Sequence, residues 1–243
     1  MTSHRGAHPS DDELFARSEW PTLRAAVHDL AWFRTRGYGD SSSIKMVGDR
    51  YRLKRRQRNA VARSACSDAE WAHRRVRRRE PEALAGGHWV DIDGFNVLIS
   101  VEGLLGGAYL FIGRDRAYRD VDPVQGTYRM VEETTPALRL IRDAVATRRA
   151  AGVTWWLDAH VSNVGRLKSQ LADLSPSVLG WDIHVSSQVD EALAASGNLV
   201  ATSDSAVLDQ VSAWCSIEQL VCMHFEGEPN VCDLRGSSVS SVP

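Results

Sequence analysis

Between His88 and Val211, short apolar runs alternate with amphipathic stretches of helical period, and three of the five runs are followed within two residues by an aspartate. The apolar runs at 88–92, 108–112, 153–157, 181–185 and 199–202 predict strands. The stretches at 95–105, 135–151, 161–174, 189–195 and 205–211 predict helices. Strand and helix in strict alternation imply a mostly parallel sheet with helices on both faces, an α/β fold. The charged stretch 114–128, with Pro123 and Gly126, reads as a loop.

A sheet of this kind binds its ligands beyond the carboxyl ends of its strands. Asp93 and Asp158 each follow a predicted strand directly, Asp204 follows a third after one residue, and Asp190 opens the helix after another. An aspartate there can simply cap a helix and meet the positive end of its dipole. Four at one edge imply more, because clustered carboxylates repel one another unless a cation neutralises them. Oxygen-only ligands suit Mg2+ or Mn2+ rather than zinc, and such ions can hold a phosphodiester and activate water against it. Asp93, Asp158, Asp190 and Asp204 are therefore the expected metal ligands and catalytic residues. Other candidates read as structural. His160 and His184 sit near strand ends as polar edge residues, and Trp155-Trp156 reads as core. Cys215, Cys222, His224 and Cys232 lack the paired spacing of a zinc site.

The first third of the chain has a different character. Twelve lysines and arginines fall between Arg50 and Arg79, opposed there only by Asp68 and Glu70, whereas the rest carries 17 basic and 29 acidic residues. Helices are expected over 11–37, 53–65 and 68–79, with 41–48 as a serine-rich connection and Pro81 and Gly86-Gly87 marking a boundary. The expected organisation is a small all-helical basic domain at 1–85, an α/β domain at 86–226 and a flexible tail at 227–243. A basic, arginine-dominated helical module suits a polyanion, so Arg74, Arg75 and Arg78 are expected to contact nucleic acid. The competing reading makes them a docking face for the acidic half. With no apolar run of eighteen residues and no signal-peptide pattern, a cytoplasmic protein without membrane association, possibly a homo-oligomer, is expected.

Three segments carry a resemblance. Val90-Asp91-Ile92-Asp93-Gly94-Phe95-Asn96-Val97-Leu98-Ile99 resembles the opening strand and turn of NYN-type PIN-like nucleases, an apolar strand ending in Asp-Gly-x-Asn. Gln188 to Leu193 is similar to that group's Val-Asp-x-x-Leu element, and Val200 to Ser205 resembles its last metal-binding strand. The resemblance spans roughly Trp89 to Trp214. It implies a PIN-like Rossmannoid fold, with Asp93, Asp190 and Asp204 as metal ligands, and Asn96 orienting a ligand or the phosphate. Ser203 and Ser205 would support the ligands from behind, and Asp158 sits at the right strand end in a less specific motif. Two departures stand out: Asp91 places an acid inside the strand, and an insert with Arg114, Asp115, Arg116, Arg119 and Asp120 is expected to line the site. The whole chain also resembles an uncharacterised two-part prokaryotic family with a basic helical region before a PIN-like domain.

The expected function is thus a divalent-metal-dependent ribonuclease with RNA as partner. Two alternatives stand beside it. One is an RNA-binding protein with this fold and no activity. The other is a phosphatase, because Asp91-Ile92-Asp93-Gly94 also resembles the nucleophile motif of haloacid-dehalogenase-like enzymes. Phe95 replaces that family's Thr or Val, and Thr202-Ser203 replaces the glycine turn of its late acidic element, which Asp204 to Asp209 approximates; Lys168 would serve as its lysine.

Overall fold

The structure, a computed structural model, describes residues 4–121, 128–176 and 179–236. Its strands are β1 (Trp89–Asp93), β2 (Leu110–Ile112), β3 (Tyr118–Arg119), β4 (Gly152–Asp158), β5 (Gly180–Ser186), β6 (Leu199–Ala201), β7 (Trp214–Cys215) and β8 (Val231–Asp233). The helices are α1 (Asp11–Leu14), α2 (Trp20–Thr35), α3 (Asp40–Arg50), α4 (Arg55–Ser64), α5 (Asp68–Arg77), α6 (Gly94–Leu105), α7 (Thr134–Thr147), α8 (Val164–Asp173), α9 (Val189–Ala195), α10 (Ser205–Leu208) and α11 (Ile217–His224). The chain divides into two compact units.

The α/β unit comprises Met1–Gly6, Arg77–Gly107 and Pro123–Pro229. Its sheet has the order β5-β4-β1-β6-β7, and every neighbouring pair is parallel. Val90, Ile92, Val153, Trp155, Leu157, Val200 and Ala201 are buried, so the central strands hold the core as continuous apolar segments do in parallel sheets. Helices cover both faces. α6 starts against the face that carries Leu157, and Ser196 at the end of α9 meets Asp91 on the opposite face. The α/β expectation therefore holds. β7 is a strand that the apolar pattern did not announce, because two residues, Trp214 and Cys215, carry no readable period.

The second unit comprises Ala7–Val76, Ala108–Asp122 and Asn230–Pro243. It departs from the expected organisation in four ways. The segment 41–48 is helix rather than connection: α3 buries Ser43 and Val47, and the hydroxyls of Ser42 and Ser43 fold back onto the Gly39 carbonyl. The predicted strand at 108–112 forms, but as β2 in a separate three-stranded sheet of order β3-β2-β8. Part of the expected loop is β3, antiparallel to β2; Pro123 and Gly126 lie outside the described residues. Lastly, the start of the expected tail is β8, parallel to β2, with Cys232 and Leu234 fully buried. Burial of those two side chains with Phe111 in the core around Phe15, Leu23, Val27 and Leu30 is the reason this segment is ordered. Residues 237–243 of that tail lie outside the described residues. The helical domain is thus α+β, assembled from three stretches of chain, and its boundary falls after Val76 rather than near residue 85.

Candidate metal and phosphodiester site

Three aspartates stand where β1, β4 and β6 run out. Asp93 closes β1 and precedes α6, Asp158 closes β4, and Asp204 follows β6 as the cap of α10. Asp190 lies in the first turn of α9, beyond β5. All four therefore sit at the carboxyl edge of one sheet.

The β1–α6 turn requires glycine. A Cβ on Gly94 would lie 2.5 Å from Leu157 Cδ2 and 2.8 Å from the Trp156 carbonyl oxygen. Only a hydrogen there lets the start of α6 pass β4 this closely, and that approach fixes Asp93 at the edge. Two residues on, Asn96 Oδ1 accepts from the Ser203 backbone N–H at 2.8 Å and from Ser203 Oγ at 2.9 Å. Asn96 thus ties the turn after β1 to the turn after β6. Its side-chain carbonyl holds Ser203 in place. Ser203 is buried and Ser205 exposed at the start of α10.

Thr202 completes the link. Its Oγ1 donates to Asp93 Oδ2 at 2.8 Å and accepts from the Asp204 N–H at 3.0 Å. One hydroxyl thereby orients one carboxylate and positions the backbone of the next. Thr202 is a residue of this edge that the motifs do not announce; the available signal is a β-branched hydroxyl two positions before an aspartate at a strand end.

Burial and mutual charge raise two of these groups. The Asp93 carboxyl is pushed up to about 7, chiefly by burial, with the Thr202 hydrogen bond opposing and the charges of Asp204 and Asp190 adding to the rise. The Asp190 carboxyl is also raised, by burial first, then by Asp204, Glu191 and Asp158. Each of the four carboxylates thus appears in a chain of mutual repulsion. They are not already gathered as a ligand set: among the described residues no group of three or more His, Cys, Asp or Glu side chains stands close enough to hold a metal ion. Two of the four are engaged in local hydrogen bonds. Asp204 Oδ1 caps α10 by accepting from Ala206 N at 2.7 Å and Val207 N at 3.3 Å, and Asp158 Oδ1 accepts from the N–H of His160 at 2.8 Å and faces its Nδ1 at 3.0 Å. Asp204 is exposed and Asp158 half-exposed, and carboxylate oxygens are the donors that a hard divalent cation takes.

Asp91 occupies a different place. It lies buried two residues back along β1, where Ser196 Oγ and Asn198 Nδ2 donate to its Oδ2. A carboxylate engaged inside the sheet is not displayed for attack on phosphorus, and the arrangement gives the phosphatase reading no support. Trp156 stacks on His184, ring centroids 4.9 Å apart, on the sheet face shared with Asp93.

The arginines expected to meet nucleic acid divide three ways. Arg74 is a correction: it is 1% exposed, and donates to Asp115 Oδ2 at 2.8 Å, while Arg119 donates to both Asp115 oxygens at 2.9 and 2.7 Å. Burial alone would raise the Asp115 carboxyl, but Arg119 and then Arg74 hold it well below the ordinary carboxylate range. The insert residues Asp115 and Arg119 are therefore the buried ionic centre of the second unit. Arg78 belongs to the α/β unit, where it donates to Glu80 and to Gln219 at 2.6 Å. Arg75 is exposed, its guanidinium 5.1 Å over the Trp71 ring. Arg56, Arg58 and Arg63 pair with Asp11, Asp49 and Asp120, so much of the basic run binds its own unit together. The cysteines named above do not form a metal cluster either; burial pushes the Cys215, Cys222 and Cys232 thiols up to about 12.

A family model described as "Domain of unknown function (DUF5616)" matches residues 81–220. A second, described as "Protein of unknown function (DUF434)", matches residues 22–77. The chain is 28% identical over 190 residues to an uncharacterized protein of Methanocaldococcus jannaschii, MJ0935; the match covers 77% of this chain and 89% of that one. No solved structure matches. No helix among the described residues is long and apolar enough to cross a membrane.

Proposed function

This chain belongs to the family whose domain of unknown function matches residues 81–220, and on that premise we propose that it is a divalent-metal-dependent nuclease acting on RNA. The observation that carries the reading is the delivery of Asp93, Asp158, Asp190 and Asp204 to the carboxyl edge of one parallel sheet, where such folds place their ligands. Asp93, Asp190 and Asp204 would hold Mg2+ or Mn2+, with Asp158 joining from β4. A cation there supplies charge neutralisation and Lewis acidity for phosphodiester hydrolysis.

The chain's own residues have definable parts in this. Thr202 holds the Asp93 carboxylate through its Oδ2. Asn96 and Ser203 hold the two turns together and keep Asp93 and Asp204 at a constant separation. Asp204 carries the strongest demand, since it must cap α10 with one oxygen and serve the site with the other. Arg75 beside Trp71, on the second unit, pairs a cation with an aromatic ring, a combination suited to phosphate and base contacts along single-stranded RNA.

The test is cleavage of single-stranded RNA in Mn2+ by the wild type and by Asp93→Asn and Asp204→Asn. Loss of turnover by at least about 100-fold in both variants is expected, with RNA binding retained. Cleavage unchanged in both would refute the assignment.

A further inference from the structure

We propose that β5 is a self-association edge, through which two copies of this chain join their sheets antiparallel about a twofold axis at Ile183. β5 is the outermost strand of the five-stranded sheet, and among the described residues no strand pairs with its outer side. It is seven residues long, without proline, and Val185 on it is 40% exposed. An edge of that kind presents unpaired backbone groups as a template for another strand.

The direction of those groups is set by the pairing with β4. Gly180 N donates to the Ala151 carbonyl, and the Ser186 carbonyl accepts from Ala159 N. In a parallel ladder a residue sends its N–H and C=O to the same side. Gly180, Asp182, His184 and Ser186 therefore face β4, and Trp181, Ile183 and Val185 face outward. An antiparallel twofold partner must place outward-facing residues opposite one another. Centring the axis on Ile183 pairs Ile183 with itself and Trp181 with Val185 of the second copy, for about six inter-strand hydrogen bonds.

Charge selects this register over its neighbours. With the axis at Ile183, Asp182 of each copy stands opposite His184 of the other, an attractive cross-strand pair. Moving the axis to residue 182 would set Asp182 against Asp182, and moving it to residue 184 would set His184 against His184. The favoured register also engages all seven residues and brings Trp181 over the exposed Val185. The strand is thus self-complementary in hydrogen bonding, charge and apolar cover, which suits a second copy of this chain as the partner.

Molar mass by light scattering on the full chain tests this at roughly 100 µM protein, a concentration suited to a small interface. Wild type is expected at twice the chain's 26.9 kDa. Ile183→Pro removes the outward N–H on the axis and no bond to β4, so it should keep its circular dichroism spectrum and fall to the monomer mass. Asp182→His, measured near pH 6 where histidine carries charge, should also dissociate. Adding His184→Asp in the same chain restores the opposite-charge pair and should restore the dimer. A monomeric wild type, a dimeric Ile183→Pro, or no recovery in the double variant would each overturn the proposal.

Discussion

Arg74→Gln separates the structural role of the basic run from a role in RNA binding. The wild-type side chain is buried beside Asp115, 2.8 Å from its Oδ2, in a part of the second unit that water does not reach. Removing one partner of a buried ion pair leaves a charge without compensation and costs about 3–5 kcal/mol. Arg119 still donates to both Asp115 oxygens, so the lower end, about 3 kcal/mol, is expected. The pH dependence follows from the depressed Asp115 carboxyl. A group with a folded pKa below its unfolded value gives stability that is present above the unfolded pKa and lost as pH falls through the folded one. The variant should therefore be much less stable than wild type at neutral pH, with the gap closing as pH drops below the ordinary value of 3.8. Urea unfolding of the full chain across that range measures it. RNA affinity, compared where both proteins are folded, should keep the same salt slope. A variant as stable as wild type whose slope falls by about 0.7, the effect of one lost single-strand phosphate contact, would refute the reasoning.

Asp93→Asn should stabilise the metal-free protein. A carboxyl raised from 3.8 to about 7 burdens the folded state by roughly 4 kcal/mol at most once ionised, and about 2 kcal/mol is expected for this partly buried group. Thermal melts should show no gain near pH 4, a growing gain between there and pH 7, and a plateau above; a loss at pH 8 would contradict it. Gly94→Ala should destabilise by about 2 kcal/mol or more, since its Cβ would meet the Trp156 carbonyl at 2.8 Å, and urea midpoints would report it. Arg75→Gln, at an exposed position, should leave stability within about 0.5 kcal/mol and flatten the salt dependence of RNA binding.

What the sequence displayed and what it concealed follow from range. The strands β1, β4 and β6 were legible because parallel strands buried on both faces read as apolar runs, and the aspartates at their ends were legible because topology gives those positions one edge. β5, though half-exposed, kept an apolar residue at every second position. The pairing of β2 with β8 joins Leu110 to Val231, and no local pattern announces a contact that distant. Arg74 misled for the same reason: its partner Asp115 lies 41 residues further on, so a buried cation looked like one more member of a basic surface. Ser41 to Gly48 misled through composition, since serines disfavour helix interiors in isolation, and tertiary burial of Val47 overrode that preference. Thr202 was hidden by modesty of chemistry. A threonine after an apolar strand is ordinary until Asp93 is seen at 2.8 Å.

The central claim is that the carboxylates at this sheet edge bind a divalent cation, and calorimetric titration of the full chain with Mn2+ tests it most directly. The account predicts saturable binding to wild type that is lost in Asp93→Asn and strongly weakened in Asp204→Asn. Unfolding cannot explain the first loss, because that variant is expected to be the more stable protein. Absence of Mn2+ binding in wild type, or binding that both substitutions leave unchanged, would contradict it.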